Sequence, residues 1–538
     1  MTENNILDVA VVGGGISGVY SAWRLLTDGG KESVTVYEAD KHIGGRLLSV
    51  KPPGINNMVA ELGGMRILDE KTHPLINALI DKLNDIAAKD PQSGIIQIDL
   101  YDFPVNDPPA SDNIVLTRGT SFHWSDIRNQ PDKVPYKLRE TTEKGKSLGQ
   151  IVLDAIKIIL NDPEIDKRPP EEVRTKAQKA TYGSQNLPLY EQGFWDVLTQ
   201  VISYEAYKLE QDVGGYSTTL SNWNAADAIP WFLADFGNKA KYRGFAQGYR
   251  QVVVNMAKLF TNAGGNIVCN QKLVSFNWDS DRKVFTLTFA DRDPVVAKAL
   301  ILAMPRRSLE LISCGNKYLS DDATSNLIKS VTPQPAFKIF STYPQPWWKD
   351  LKLTLGRSVT DLPIRQTYYW ANSQGKPIED GPAMLMASYD DGNNPDFWNG
   401  YRDWEGAKFK LMGSKTNSLK WTDNAPTWSE YQPKQEQMKV EMTRQLAELH
   451  GVPKDRIQPT SICYKNWAED PFGGAWNFWN IGVKSPDVMH NIIKPHSGLD
   501  LPLYICGDAY SNWPGWVEGA LETANMVLAL PEFNVKPT

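Results

Sequence analysis

The stretch Asp8 to Gly18, DVAVVGGGISG, constrains the fold more than any other part of the chain. Val9, Ala10, Val11 and Val12 form a short apolar run that ends directly on glycines. An apolar helical pattern follows at Val19, Ala22, Trp23, Leu25 and Leu26. Strand, tight turn and helix are expected in that order. Gly13, Gly15 and Gly18, with Ile16 and Ser17 between the last two, fit G-x-G-x-x-G. The first glycine permits the sharp turn and the second lets a pyrophosphate approach the backbone. The third lets the helix pack on the strand, and the helix N-terminus then faces the phosphates. A second β-rich run, Ser33 to Tyr37, leads into Glu38, twenty residues beyond Gly18 and followed by Ala39. A carboxylate at that spacing is placed to accept hydrogen bonds from ribose hydroxyls.

Two further glycine pairs follow, Gly44-Gly45-Arg46 and Gly63-Gly64-Met65-Arg66. The first suits continued backbone approach to a long cofactor, with the Arg46 guanidinium close to its diphosphate. Residues 68–97 read as helix, and Phe103 to Asn113 as a Pro-, Asn- and Asp-rich loop. The span 137–212 is helical in pattern, with Pro169-Pro170-Glu171-Glu172 as a helix start. Trp223 to Phe236 is rich in aromatics that could overhang a cavity or pack a core. Alternating strands at 266–291 and a buried strand at Ala299 to Pro305 return the chain to the first sheet. Gln334 to Tyr343 reads as a strand that carries Lys338 between Phe337 and Ile339. Arg357 to Trp370 and 383–389 are β-rich, and 434–449 is an amphipathic helix. Near the end, the strand Leu503 to Cys506 meets Gly507-Asp508, and Gly515-Trp516 opens a last helix through Val517. Backbone N–H groups at such a helix start can stabilise negative charge.

The expected fold is α/β with mixed α+β parts: a discontinuous Rossmann-like dinucleotide domain, a mixed-sheet substrate domain and an inserted helical subdomain. The expected boundaries are 1–70, 244–335 and 463–538 for the first, 71–136 and 336–462 for the second, and 137–243 for the third. Bulk composition narrows the function. The formal charge is −6, which argues against nucleic acid or an anionic membrane surface as a partner. Four scattered cysteines and six histidines form no metal-ligand pattern, so no metal is expected. No run is long enough for a membrane helix. The N-terminus enters the first strand almost at once, so no signal peptide and a cytoplasmic location are expected. Eighteen tryptophans must line a core or a pocket.

The three glycine pairs, Glu38, the Lys338 strand and the closing Gly515-Trp516 helix together resemble the flavin monoamine oxidase superfamily, and within it the L-amino-acid oxidases. The resemblance spans nearly the whole chain and implies FAD. It places Gly13, Gly15, Ile16, Ser17, Gly18, Glu38, Ala39, Gly45, Arg46, Gly63, Gly64, Met65, Arg66, Val274, Trp467, Gly507, Asp508, Gly515, Trp516 and Val517 at the cofactor. Val274 would meet the adenine through its backbone. The resemblance also implies that Arg66 binds the substrate carboxylate, and a planar fork suits a carboxylate. A tyrosine of the TYYW strand would donate to the same group: Tyr369 is expected, with Tyr368 the alternative, since strand alternation lets only one face the cavity. Lys338 would hold a water at the flavin, the Gly515 carbonyl would take the substrate amine, and Trp516 would wall the site. Trp223, Asp227, Trp231, Phe232, Asp235 and Trp467 are candidates for the side-chain pocket. Either acid there would favour Lys or Arg, whereas the aromatics would favour apolar substrates. The segment Ala509 to Gly515, AYSNWPG, lacks the cysteine of covalent flavin enzymes, so non-covalent FAD is expected. The implied reaction is oxidative deamination of L-amino acids with O2, with broad specificity, by a homodimer. A decarboxylating, amide-forming 2-monooxygenase and an amine or polyamine oxidase of the same fold are the alternatives. A non-catalytic protein that kept the dinucleotide fold would have no reason to keep Lys338 and Gly515-Trp516.

Overall fold

A computed structural model describes residues 6–105, 112–236, 240–290, 292–401, 419–499 and 501–537. Part of the expected 103–113 loop, residues 106–111, lies outside them. The elements that build the site are, in chain order, β1 (Ile6–Val12), α1 (Ile16–Thr27), β2 (Val34–Tyr37), α2 (Pro74–Lys89), β3 (Ile114–Thr117) and β4 (Thr120–His123). Next come α3 (Leu148–Ile159), α4 (Pro170–Lys179), α5 (Tyr204–Gly214), α6 (Ala225–Phe236) and α7 (Arg250–Asn262). Then follow β5 (Asn266–Cys269), β6 (Leu273–Asp279), β7 (Val284–Phe289), β8 (Val295–Ala303) and β9 (Ala336–Tyr343). The last are β10 (Gly356–Thr360), β11 (Gln366–Tyr369), β12 (Ala383–Asp391), α8 (Gln437–His450), β13 (Ser461–Asn466), β14 (Leu503–Cys506) and α9 (Val517–Leu528).

The first sheet is a parallel core, β5-β2-β1-β8-β14, extended antiparallel by β7 and β6 along the N-terminal half of β8. Val9 to Val12 and Val34 to Tyr37 are fully buried, as expected of parallel strands covered on both faces. α1, α7 and α9 pack on this sheet with α2, whose Ile76, Leu79, Ile80 and Leu83 belong to the same apolar core. The first unit therefore includes α2, which the expected boundaries gave to the substrate domain. The helical face of 74–89 shows an apolar stripe but does not say which sheet receives it.

The second sheet runs β13-β9-β12-β11-β10-β3-β4. All its pairings are antiparallel except β10 with β3. β13, placed by expectation mostly in the first unit, is instead an edge strand here, paired with β9 from Phe337↔Asn466 to Thr342↔Ser461. The β-rich stretch 357–370 resolves into a hairpin, turned at Arg365 with φ 52°. Helices α3 to α6 share one apolar core with Val115 and Phe122 of the second sheet's edge. The cavity lies where the C-terminal ends of the parallel strands meet the second sheet and α6, the position such sheets offer to ligands.

Candidate active site

At the dinucleotide end each glycine of the first turn has a separate cause. Gly13 has φ +114°, and a side chain there would collide with the carbonyl of Ala303 in β8. A Cβ on Gly18 would strike the carbonyl of Gly13, so Gly18 holds α1 against the turn and does not line the cavity. A Cβ on Gly15 would meet nothing within 4 Å. Gly15 caps α1, and among the described residues no side chain caps that helix start. Open space beside unsatisfied helical N–H groups is the setting a pyrophosphate needs, so the residues fit the cofactor on their own geometry. The Glu38 carboxylate accepts from the N–H of Gly14 at 2.6 Å and of Asp40 at 2.8 Å, which fixes its orientation at the end of β2. Burial nonetheless raises its pKa to about 7. Arg46 pairs with Asp508 across 462 positions of chain. Asp508 also accepts from the Gly515 N–H at 3.0 Å, so it joins the second glycine pair to the start of α9.

Ile16, Ser17, Glu38, Ala39, Gly45, Arg46, Gly63, Gly64, Met65, Gly507, Asp508 and Val517 line one continuous cavity with Gly13 and Gly15. At its far end the wall is Arg66, Lys338, Trp467, Gly515 and Trp516, with Tyr216, Trp231, Asp235, Phe236, Tyr389 and Trp476. Arg66 is 7% exposed. Its guanidinium lies 4.2 Å from the Tyr242 ring centre, and Nη1 donates to the Tyr368 hydroxyl at 3.5 Å. Its nearest carboxylate is Asp235, at 3.9 Å from Nη2. On Tyr368, burial pushes the pKa up, but Arg357 and Arg66 outweigh it and the net shift is downward. Lys338 is buried on β9. Its Nζ donates to the carbonyls of Gly63 at 2.6 Å and Glu61 at 3.1 Å, and stands 4.6 Å from the Tyr389 ring centre. Desolvation lowers its pKa to about 7. Trp467 is fixed by its indole N–H on the Leu62 carbonyl at 2.7 Å. Gly515 has φ +86° and abuts Trp476. Trp516 packs on the His73 ring at 4.7 Å between centres.

Several sequence expectations move. Tyr369 does not face this cavity: its hydroxyl meets Ser358 at 2.6 Å and His450 Nε2 at 2.8 Å, in the core beneath α8. Tyr368, one residue earlier, is the ring on the side of Arg66. Trp223 is fully buried, with its indole on the Thr219 carbonyl, and supports Trp231 and Trp476 edge-on from behind. Asp227 is likewise off the wall, held by Ser485 at 2.6 Å and Gln178 at 2.9 Å, and Phe232 packs in the helical core. Val274 is 38% exposed, and the wall near Glu38 is made instead by Gln271, Lys272 and Leu273. The one-residue shift puts the apolar Leu273 inward at the start of β6. Tyr216, Tyr242, Tyr389 and Trp476 were not anticipated. They lie far apart in sequence with no motif of their own, and the aromatic richness of the chain was the only available signal.

The chain matches the family described as flavin containing amine oxidoreductase over residues 16–406 and 413–527. Aplysianin-A of Aplysia kurodai is 26% identical, over 97% of this chain and 89% of that protein. L-amino acid oxidase Bs29 of Bothriechis schlegelii is 21% identical over the same shares, 97% and 89%. A solved structure of cyclohexylamine oxidase from Brevibacterium oxydans superposes with a TM-score of 0.64 at 16% identity, over 97% of this chain and 98% of that one. With a glycine cradle at one end of its cavity and a buried arginine and lysine at the other, the chain belongs to the flavin containing amine oxidoreductases.

Proposed function

We propose that the protein is an FAD-dependent L-amino-acid oxidase, converting an L-amino acid, water and O2 into a 2-oxo acid, ammonia and hydrogen peroxide. The observation that carries this reading is Arg66: a buried guanidinium on the cavity wall, beside a tyrosine hydroxyl and with its nearest carboxylate at a loose 3.9 Å. A buried cation with donors to spare calls for an anionic partner. The α-carboxylate of an amino acid supplies one, and a simple amine does not.

Gly13, Gly15 and the start of α1 would hold the pyrophosphate, Glu38 the ribose hydroxyls, and the Gly515–Val517 segment the ring end. Bound FAD supplies the electron acceptor for the amino acid and the reductant for O2. Arg66 and Tyr368 hold the carboxylate and so orient the Cα–N bond. Trp231, Trp476, Trp516 and Phe236 exclude water from that position. Lys338, with a pKa near 7, can hold or release a proton at Nζ at neutral pH, and we assign it to the oxygen half of the cycle. The segment Ala509 to Gly515 offers no cysteine, which favours non-covalent binding.

The test is a panel of the common L-amino acids, several D-isomers, putrescine and cyclohexylamine, with peroxide, ammonia and 2-oxo acid all measured. Oxidation of L-amino acids to 2-oxo acids, lost in Arg66→Ala through a KM rise of at least 30-fold, is expected. Turnover of the amines alone, or carbon dioxide and an amide as products, would overturn the reading.

A further inference from the structure

Two carboxylates line the cavity at its reactive end, and their oxygens are used very differently. Asp391 is saturated: it accepts from the N–H of Ser217 at 2.8 Å, the N–H of Thr218 at 2.9 Å and the Thr218 hydroxyl. Asp235 is not. Its Oδ1 accepts from the Tyr242 hydroxyl at 2.9 Å, and Arg66 Nη2 stands 3.9 Å from the same oxygen, beyond hydrogen-bond length. No described residue donates to its Oδ2. Asp235 as a whole is 4% exposed. With Arg66, Tyr216 and Phe236 it lines both the inner cavity and the wide outer one, and so stands at the neck between them.

The other charges nearby are already engaged. Arg357 donates to Gln366 and lies 5.7 Å from the ring centres of Trp124 and Tyr216. Lys338 is held by two carbonyls. Without substrate, Asp235 and Arg66 are each other's counter-charge. Binding an α-carboxylate on Arg66 breaks that balance, since it places a second anion beside Asp235 and occupies its cation. Arg357 still acts on Asp235 electrostatically, but a buried carboxylate whose nearest cation is taken is costly. The strain is relieved if the substrate brings its own cation. A carboxylate oxygen at ordinary hydrogen-bond distance from Arg66 lies within about 7 Å of Asp235, a span that a side chain of three or four methylenes covers.

We infer that Asp235 receives the cationic end of the substrate side chain, making the enzyme selective for L-amino acids that carry an ammonium or guanidinium group. The inference rests on the reading of Arg66 as the carboxylate clamp, and it is tested apart from it. The measurement is kcat/KM of the flavin-loaded enzyme for L-lysine and for L-norleucine, which has the same chain without the ammonium. The wild type is expected to favour lysine by 30-fold or more, the low end of what removing one partner of a buried charge pair costs. Asp235→Asn should bring the ratio to within a few-fold of one, and Asp235→Glu should restore part of it. A wild-type ratio near one, or a ratio that Asp235→Asn leaves unchanged, overturns the inference while leaving oxidation of L-amino acids intact. Failure to oxidise either compound overturns both. Should Asp235→Asn fail to retain flavin, the wild-type ratio decides alone.

Discussion

The two adjacent tyrosines of β11 give the sharpest test of the site. Tyr368→Phe removes a hydroxyl that stands 3.5 Å from Arg66 Nη1 and 3.4 Å from the Gln366 side-chain oxygen, on the face of the sheet that meets Arg66. A hydrogen bond to a charged group contributes about 1.5–3 kcal/mol. If the hydroxyl shares the substrate carboxylate with Arg66, its loss should lower kcat/KM about 10- to 150-fold, mostly through KM. Tyr369→Phe removes a hydroxyl of the same chemistry that bridges Ser358 and His450 on the opposite face. His450 is buried, its Nδ1 is committed to the Leu446 carbonyl, and Nε2 would be left without a donor. The cost there should be about 1–3 kcal/mol of folding stability. It should shift the denaturation midpoint and leave kcat/KM within about two-fold. The assay is steady-state oxygen consumption on both variants alongside urea unfolding followed by tryptophan fluorescence. A kinetic defect in Tyr369→Phe, with Tyr368→Phe silent, would refute the assignment of faces and the role given to Tyr368.

Lys338→Met should slow flavin reoxidation by O2 in stopped flow more than it slows reduction by the amino acid, and unchanged oxygen kinetics would remove the role assigned to Lys338. The same variant carries a stability signature. The folded pKa of Lys338 is lowered from 10.5 to about 7, so between those values the unfolded chain binds more protons. Wild-type stability should therefore rise relative to Lys338→Met from pH 7 to pH 10, by up to about 1.4 kcal/mol per pH unit, and a flat difference would refute the shift. Gly15→Ala should leave the flavin-free chain as stable as the wild type to within about 1 kcal/mol, since φ there is −74° and the added methyl meets nothing, while flavin affinity falls. Equal flavin retention would show that the pyrophosphate lies elsewhere. Acid precipitation should release all the flavin into the supernatant, and yellow colour in the washed protein would disprove non-covalent binding.

Much of the site was legible from short stretches because short-range backbone geometry carries it. Gly13 has the positive φ of its own turn, Glu38 follows β2 at the spacing expected of a ribose contact, and Arg66 and Lys338 stand out through the family resemblance. The misplacements share a different origin. Every residue of β11 is buried, so alternation of polar and apolar side chains offered no clue to which tyrosine lies beside Arg66. Asp227 and Asp235 are both buried on α6, and only the neighbours that α6 meets separate an acid tied to Ser485 from one facing Arg66. The apolar stripe of α2 could not name its sheet, and β13 carried no mark of the strand it would pair with.

The sequence by itself determined the strand–turn–helix over residues 6–27 and the acid that follows β2, while the family resemblance marked Arg66 and Lys338. Those features depend on dihedral freedom and residue type within a few positions. The tertiary structure decided which side chains share the cavity with Arg66, because that depends on contacts between Arg66, α6 at 225–236 and β11 at 366–369. These elements lie well over a hundred residues apart in the chain and are brought together only by the packing of two sheets against a helical insertion. Packing of that kind placed Asp235 3.9 Å from Arg66 and turned Tyr369 away from it.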